Sequence, residues 1–102
     1  MIDLIEQHRG ELATLCRHYD VQRLEVFGSA ADGTFDPARS DLDFLVEFQP
    51  AASKRIFHGY FDFRDALQQL FGREVDLVMP NAIRNRFFRQ AVDKQRRVLY
   101  AA

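Results

Sequence analysis

A strand that opens with two acids constrains this chain more than any other feature. Asp41-Leu42-Asp43 begins an apolar stretch that runs to Phe48. Because side chains alternate across a β-strand, both carboxylates project from one face while the apolar side chains point to the other. Two charges about 5 Å apart repel by about 3 kcal/mol at an effective dielectric of about 20. A divalent cation between them turns that repulsion into attraction, so the pair indicates a metal site.

A glycine-serine turn precedes this strand. The apolar strand from Leu24 to Phe27 stops at Gly28-Ser29. Glycine lets a backbone approach a phosphate closely, and the Ser29 amide and hydroxyl can donate to phosphate oxygens. Taken alone, a Gly-Ser pair is most often only a turn, and an Asp-x-Asp pair is most often solvated. The combination of the two is much more specific.

A third acid, Asp76, interrupts an otherwise apolar strand predicted over residues 74–79. Its neighbours Val75 and Leu77 would face the core, so Asp76 would face away from it. If this strand lies beside strand 41–48, Asp76 joins Asp41 and Asp43 on one face. Three carboxylates suit Mg²⁺ or Mn²⁺, and the third acid can be a metal ligand or the base that deprotonates an attacking hydroxyl.

Hydrophobic periodicity predicts the remaining elements. They are a helix over 3–19, a strand over 23–27, a loop over 30–40 with one helical turn near its start, a helix over 53–71, a helix after residue 81 and an edge strand over 97–100. Asp3 and Glu6 have capping-box spacing, Gly72 is placed to follow a helix, and Asn81 is the predicted N-cap of the last helix. The order predicts an α/β (α+β) fold, in which helices pack on a small mixed sheet.

Two helices have a predicted buried stripe. In helix 53–71 the stripe contains Ile56, Phe57, Tyr60, Phe61, Leu67, Leu70 and Phe71, and in the last helix it contains Ile83, Phe87, Phe88, Ala91 and Val92. Phe63 lies off the first stripe, which predicts that it belongs to an exposed apolar patch.

Composition indicates one folded domain over residues 1–102, with 47% hydrophobic and 28% charged residues. The N-terminus carries acids where a signal peptide needs a basic flank, and no apolar stretch approaches the roughly 20 residues that span a bilayer. Cys16 has no possible internal disulfide partner, and it lies on the apolar stripe of the first helix. These features predict a cytoplasmic protein without membrane contact.

Charge is distributed unevenly along the chain. Residues 1–79 hold eight Lys and Arg against fourteen Asp and Glu, whereas residues 80–102 hold six against one. Such a basic tail can bind phosphates or an acidic partner, and it can equally be a solvated helix face.

Three segments resemble the motifs of one family. They are Gly28-Ser29, Ser40-Asp41-Leu42-Asp43-Phe44-Leu45-Val46 and Val75-Asp76-Leu77-Val78. Together they resemble the minimal nucleotidyltransferases, the smallest members of the DNA-polymerase-β-like nucleotidyltransferase superfamily, and the resemblance covers nearly the whole chain.

This resemblance implies the polymerase-β-like fold and a set of roles. Asp41 and Asp43 would bind two Mg²⁺ ions, Asp76 would complete the triad, and Gly28 and Ser29 would hold the triphosphate. Members commonly transfer AMP from ATP to a hydroxyl and release pyrophosphate. Many serve as the antitoxin of a HEPN-domain ribonuclease toxin, in characterised cases by adenylylating a toxin tyrosine. We therefore expect ATP as substrate and a HEPN-domain toxin as partner.

The chain departs from the family pattern at two points. Asp32 stands where the family commonly has Arg, and the gap from Ser29 to Asp41 is about one residue longer than usual. Two alternatives remain open from sequence: a non-catalytic module that occludes the toxin, and nucleotidyl transfer to a small molecule or an RNA 3′ end. Association with a partner or a second copy is possible, and direct nucleic-acid binding is not expected.

Overall fold

Helices and strands alternate along the chain in this computed structural model, which describes residues 2–50 and 56–102. The elements are α1 (Asp3–Glu6), α2 (Arg9–His18), β1 (Val21–Phe27), α3 (Ser29–Asp32), β2 (Leu42–Phe48), α4 (Ile56–Phe71), β3 (Val75–Val78), a 3₁₀ turn (Pro80–Ala82), α5 (Arg86–Gln95) and β4 (Arg97–Ala101). The strands form one sheet in the order β3-β2-β1-β4. β2 pairs antiparallel with β1 and parallel with β3, and β4 pairs antiparallel with β1. The predicted mixed sheet, helical turn and edge strand are confirmed.

The main core lies on one face of this sheet. Alternate strand residues such as Val26, Phe44 and Leu77 point into it. α2 contributes the buried Leu12 to the same cluster, together with Cys16, which was predicted to be a core residue. Fully burying an aliphatic or aromatic side chain of this size is worth about 1.5–3 kcal/mol, so this face supplies most of the hydrophobic stabilisation.

The opposite face of the sheet carries a much smaller cluster. Phe27 and Leu45 lie there under Val92 of α5. Beside them Glu25, only 2% exposed, accepts from Arg96 Nε at 2.9 Å and from Arg96 Nη2 at 2.6 Å. Arg96, the residue that directly follows α5, therefore fastens the end of this helix to β1. This second face, partly covered by α5, is also the face from which Asp43 projects, because Asp43 lies two residues before Leu45 in β2.

The first helix differs from its prediction. Residues 7–8 form a turn that divides the predicted 3–19 helix into α1 and α2. His8 at this break has φ −115° and ψ 17°, and its ring Nδ1 contacts Leu4 O at 2.8 Å. The capping-box prediction is wrong, since Ile2 is the N-cap and Asp3 already lies within the first turn.

The helix over 53–71 is described from Ile56 onward, and residues 53–55 and the side chains of Ile56 and Phe57 lie outside the described part. Gly72 follows the helix with φ +64°, as predicted. The prediction for Phe63 is wrong: its side chain is fully buried, with its ring centroid 5.7 Å from that of Tyr19, whereas Phe61 is 38% exposed. The buried stripe is centred on the i, i+4, i+8 set of Phe63, Leu67 and Phe71, because that is the face turned toward β2.

The last helix also differs. Asn81 lies in the 3₁₀ turn, and the N-cap is Asn85, whose side chain accepts from Phe88 N at 3.0 Å. Of the predicted buried stripe only Val92 is fully buried; Ile83 is partly buried and Ala91 is exposed.

Both phenylalanines of that stripe are exposed, Phe87 at 72% and Phe88 at 44%. They are exposed because the apolar area under α5, around Phe27 and Leu45, is small. One turn of the helix is enough to cover it. Among the described helices, none is both long enough and apolar enough to cross a bilayer.

Candidate active site

The parallel pairing of β2 with β3 brings two of the predicted acids side by side. Asp43 is the register partner of Asp76, flanked by the pairs Leu42–Val75 and Phe44–Leu77. Neighbouring strands lie about 4.8 Å apart, and residues in register point to the same face. The prediction that the strand of Asp76 lies beside the strand of Asp43 is therefore confirmed. Val75 and Leu77 are buried, and Asp76 is exposed on the opposite face.

Asp41 lies one residue before β2, at the exposed end of the loop over residues 33–41. It is close enough to Asp43 to act on its charge. The pKa of Asp43 rises from 3.8 to about 6, first because the carboxyl is partly buried, then because of the negative charges of Asp76 and of Asp41. The three acids thus interact electrostatically. At the centre, the negatively charged form of the Asp43 carboxyl is disfavoured. A cation would relieve that cost.

Gly28 lies against the central acid of this group. It directly follows Phe27, the register partner of Asp43, and it has φ +70° and ψ −149°, a conformation that is essentially restricted to glycine. A Cβ atom at this position would overlap Asp43 Oδ2 and lie 3.1 Å from Asp43 Cγ. A glycine is therefore required both by the backbone conformation and by the neighbouring carboxylate.

The turn after Gly28 is held from two sides. Gly28 N donates to Gln95 Oε1 at 3.2 Å, and Gly28 O accepts from the amides of Ala31 and Asp32 at 3.0 Å each. Ser29 is consequently the first residue of α3, and it is half-buried. Nothing in the sequence singles out Gln95, because it lies 67 residues from the glycine that it contacts.

Asp32, the residue that departs from the family pattern, is fully engaged in its own turn. Asp32 Oδ1 accepts from Thr34 N at 2.9 Å and from Thr34 Oγ1 at 2.6 Å. These hydrogen bonds hold the pKa of the exposed Asp32 carboxyl below its usual value. In place of a cationic side chain, this position therefore supplies a local turn that shapes the start of the loop.

Sequence reasoning also missed Arg73. Its Nη1 donates to Ser40 O at 3.0 Å and its Nη2 donates to Pro37 O at 3.1 Å. Arg73 is thus the side chain that joins the start of β3 to the loop that ends at Asp41. A lone arginine after a helix C-terminus carries no sequence signal for such a contact.

The donor set fits a hard divalent cation. Asp41, Asp43 and Asp76 offer carboxylate oxygens, which are the ligands that Mg²⁺ and Mn²⁺ prefer. Within residues 2–50 and 56–102, no three or more His, Cys, Asp or Glu side chains already stand in an arrangement that could hold a metal ion. The three acids lie near one another, but by themselves they do not form a complete set of metal ligands. That is compatible with Mg²⁺, which usually keeps several waters and is completed by substrate phosphates.

Comparison with known proteins places this geometry in a family. The family model of the nucleotidyltransferase domain matches residues 5–100. The "Putative protein adenylyltransferase" of Methanocaldococcus jannaschii is 30% identical over 92 residues, which cover 90% of this chain and 87% of that protein.

Solved structures agree with this assignment. The structure of a "putative minimal nucleotidyltransferase" superposes with a TM-score of 0.75 at 30% identity, covering 94% of this chain and 95% of the other. A complex of a tri-AMPylated Shewanella oneidensis HEPN toxin with an MNT antitoxin matches with a TM-score of 0.61 at 17% identity, over 95% of this chain and 72% of the other, and shows likeness of fold. The resemblance to minimal nucleotidyltransferases is confirmed, and the chain belongs to the nucleotidyltransferase domain family.

Proposed function

We propose that this protein is a Mg²⁺-dependent nucleotidyltransferase that transfers AMP from ATP to a hydroxyl on a partner protein. We propose further that it acts in this way as the antitoxin of a HEPN-domain toxin. The observation that carries the proposal is the register pairing of Asp43 with Asp76 beside the Gly28 turn. This arrangement sets paired carboxylates next to a glycine-serine turn, which acyl or hydride chemistry would not need.

In this proposal the three acids are the metal ligands, and the glycine-serine turn holds the triphosphate. Asp41, Asp43 and Asp76 would hold two Mg²⁺ ions, which, when bound, neutralise charge on the phosphates and on the leaving pyrophosphate. Because the Asp43 carboxylate fills the space beside Gly28 and Gln95 accepts from Gly28 N, the direct contact of this turn with a phosphate would come from Ser29, which can donate from its hydroxyl. Gln95 would keep the turn in place by accepting from Gly28 N.

The chemical step follows from the position of Asp76. A hydroxyl oxygen forms a bond to the α-phosphorus while the bond to the bridging oxygen breaks, and pyrophosphate leaves with that electron pair. In this proposal Asp76, which is exposed beside the half-buried Asp43, takes the hydroxyl proton.

The openness of the site supports an acceptor on another macromolecule. Asp41 and Asp76 are both exposed, and in the described residues the acids are flanked on their own face by α5 and its exposed Phe87 and Phe88. The AMPylated toxin in the complex of similar fold supports AMP transfer to a HEPN-domain protein as the specific reaction.

The test is a transfer assay with purified HEPN-domain protein from the same source, MgCl₂ and ATP labelled at the α-phosphate. We expect label on the toxin, loss of labelling with EDTA, and loss with Asp43→Asn. The matched control is Glu47→Gln, which neutralises an exposed acid on the same strand and should transfer normally. Absence of transfer with any nucleoside triphosphate would refute the enzymatic proposal.

A second candidate function is a non-catalytic antitoxin that occludes its toxin. It is favoured by Asp32, which stands where the family commonly has Arg and whose carboxylate accepts from Thr34. The two candidates separate in cells. If occlusion alone neutralises the toxin, Asp43→Asn protects fully, whereas the enzymatic proposal predicts that protection is lost.

A further inference from the structure

The loop over residues 33–41 decides where Asp41 stands. Asp43 and Asp76 are held by paired strands, but Asp41 precedes β2 and is exposed. Its backbone position therefore depends on the loop. Within it, the amides of Arg39 and Ser40 donate to Asp36 O at 3.0 and 2.8 Å, and Asp36 N donates to Ser40 Oγ at 2.9 Å. These bonds close a compact turn immediately before Asp41, but all of them lie inside the loop and none attaches it to the sheet.

Arg73 attaches this turn to the rest of the molecule. Its two terminal nitrogens donate to the carbonyls of Pro37 and Ser40, one at each end of the turn. Its guanidinium carbon also lies 5.0 Å from the centroid of the Phe35 ring. The Arg73 side chain thus contacts three residues of the loop, Phe35, Pro37 and Ser40. Of these, Ser40 directly precedes Asp41. A planar guanidinium can make this two-carbonyl bridge and stack at once, which a lysine cannot do.

The backbone that carries Arg73 is itself well anchored. Gly72 ends α4 with φ +64°, and β3 begins two residues after Arg73. Between them, Glu74 O accepts from Leu42 N at 3.2 Å, which ties the start of β3 to the start of β2. Arg73 therefore fixes the loop that carries Asp41 relative to the strand that carries Asp76.

We propose that Arg73 is the positioning residue for Asp41: it holds the carboxylate of the loop in line with the two carboxylates of the sheet. This inference rests on the proposed metal-dependent function. Arg73 touches neither substrate nor metal in this role, and it acts only through the loop. This role explains why the partly buried Arg73 donates to two carbonyls of a surface turn.

The test is the affinity for Mn²⁺, measured by calorimetry with MnCl₂ alone, in a double-mutant cycle with Asp41. Loss of a group that orients a metal ligand typically costs about 10–100-fold in metal affinity. We expect Arg73→Met to weaken Mn²⁺ binding at least about 10-fold in the native background but less than about 2-fold in the Asp41→Asn background. Arg73→Lys, which keeps the charge and the stem, should also weaken binding and covers the case in which Arg73→Met does not fold.

The matched control is Arg64→Met. Arg64 also lies over a phenylalanine ring, 5.1 Å from the centroid of Phe61, but on α4 and away from the loop. Its removal should leave Mn²⁺ affinity unchanged. Equal losses from Arg73→Met in both Asp41 backgrounds, or no loss in either, would overturn the inference while the proposed function stands. A native protein that takes up no Mn²⁺, either alone or together with ATP, would overturn the metal-dependent function and the inference with it.

Discussion

Replacing Gly28 by alanine tests the packing at the centre of the site. The backbone part of the cost comes from φ +70° and ψ −149°, since a residue held in such a sparsely populated region costs about 1–3 kcal/mol. The packing part comes from overlap of the new Cβ with Asp43 Oδ2, because inserting atoms into a packed position costs about 1–3 kcal/mol. We expect Gly28→Ala to lower the free energy of unfolding by about 2–6 kcal/mol in urea denaturation followed by circular dichroism.

The chain offers a control that separates the two parts. Gly33 also has positive φ, +88°, but no atom lies within 4 Å of a Cβ built there. Gly33→Ala should therefore cost only about 1–2 kcal/mol for the left-handed conformation. In an Asp43→Ala background, which removes the overlapping atoms, the cost of Gly28→Ala should fall to its backbone part. If Gly28→Ala costs no more than Gly33→Ala, or the same with and without the Asp43 carboxylate, the assigned contact is wrong.

Three further predictions concern stability and reactivity. Because the folded-state pKa of Asp43 is raised to about 6, its contribution to stability is present below pH 4 and lost as pH rises through 6. Without metal, the free energy of unfolding of Asp43→Asn should therefore exceed that of the native protein at pH 8 by about 1–2 kcal/mol, a value discounted for solvent screening. The difference should be smaller at pH 4. A variant that is less stable than the native protein at pH 8 would refute this. Glu25→Gln should cost about 2–4 kcal/mol in urea, because it removes the buried carboxylate that Arg96 and Arg23 share and leaves Arg96 with only the exposed Asp93, and an unchanged midpoint would contradict the pairing. Cys16 is fully buried and burial raises its pKa to about 12, so it should react with a thiol reagent only on unfolding; rapid labelling of the native protein would contradict this.

The local features of this protein could be predicted from its amino-acid sequence. Period-two alternation located β2 and β3 and assigned Asp43 and Asp76 to the faces opposite their apolar neighbours. Gly28 and Gly72 both have the positive φ that glycine readily adopts, at the ends of a strand and a helix. Such features depend on a residue and its near neighbours, which is why the order of elements and the carboxylate motif could be predicted.

Only the tertiary structure decided how these pieces meet. The parallel register makes Asp43 the partner of Asp76, and it depends on how α4 returns the chain to the sheet. The buried position of Phe63 follows from which helix face turns toward β2, and the predicted stripe placed Phe63 off that face.

The supports of the site are likewise long-range. Gln95 reaches Gly28 across 67 residues, and Arg73 reaches Ser40 across 33. A polar side chain on a helix or turn has the same local pattern whether it faces solvent or a distant carbonyl. The acids of this site are therefore visible in the sequence, whereas the contacts that hold them in place arise only when the sheet brings distant segments together.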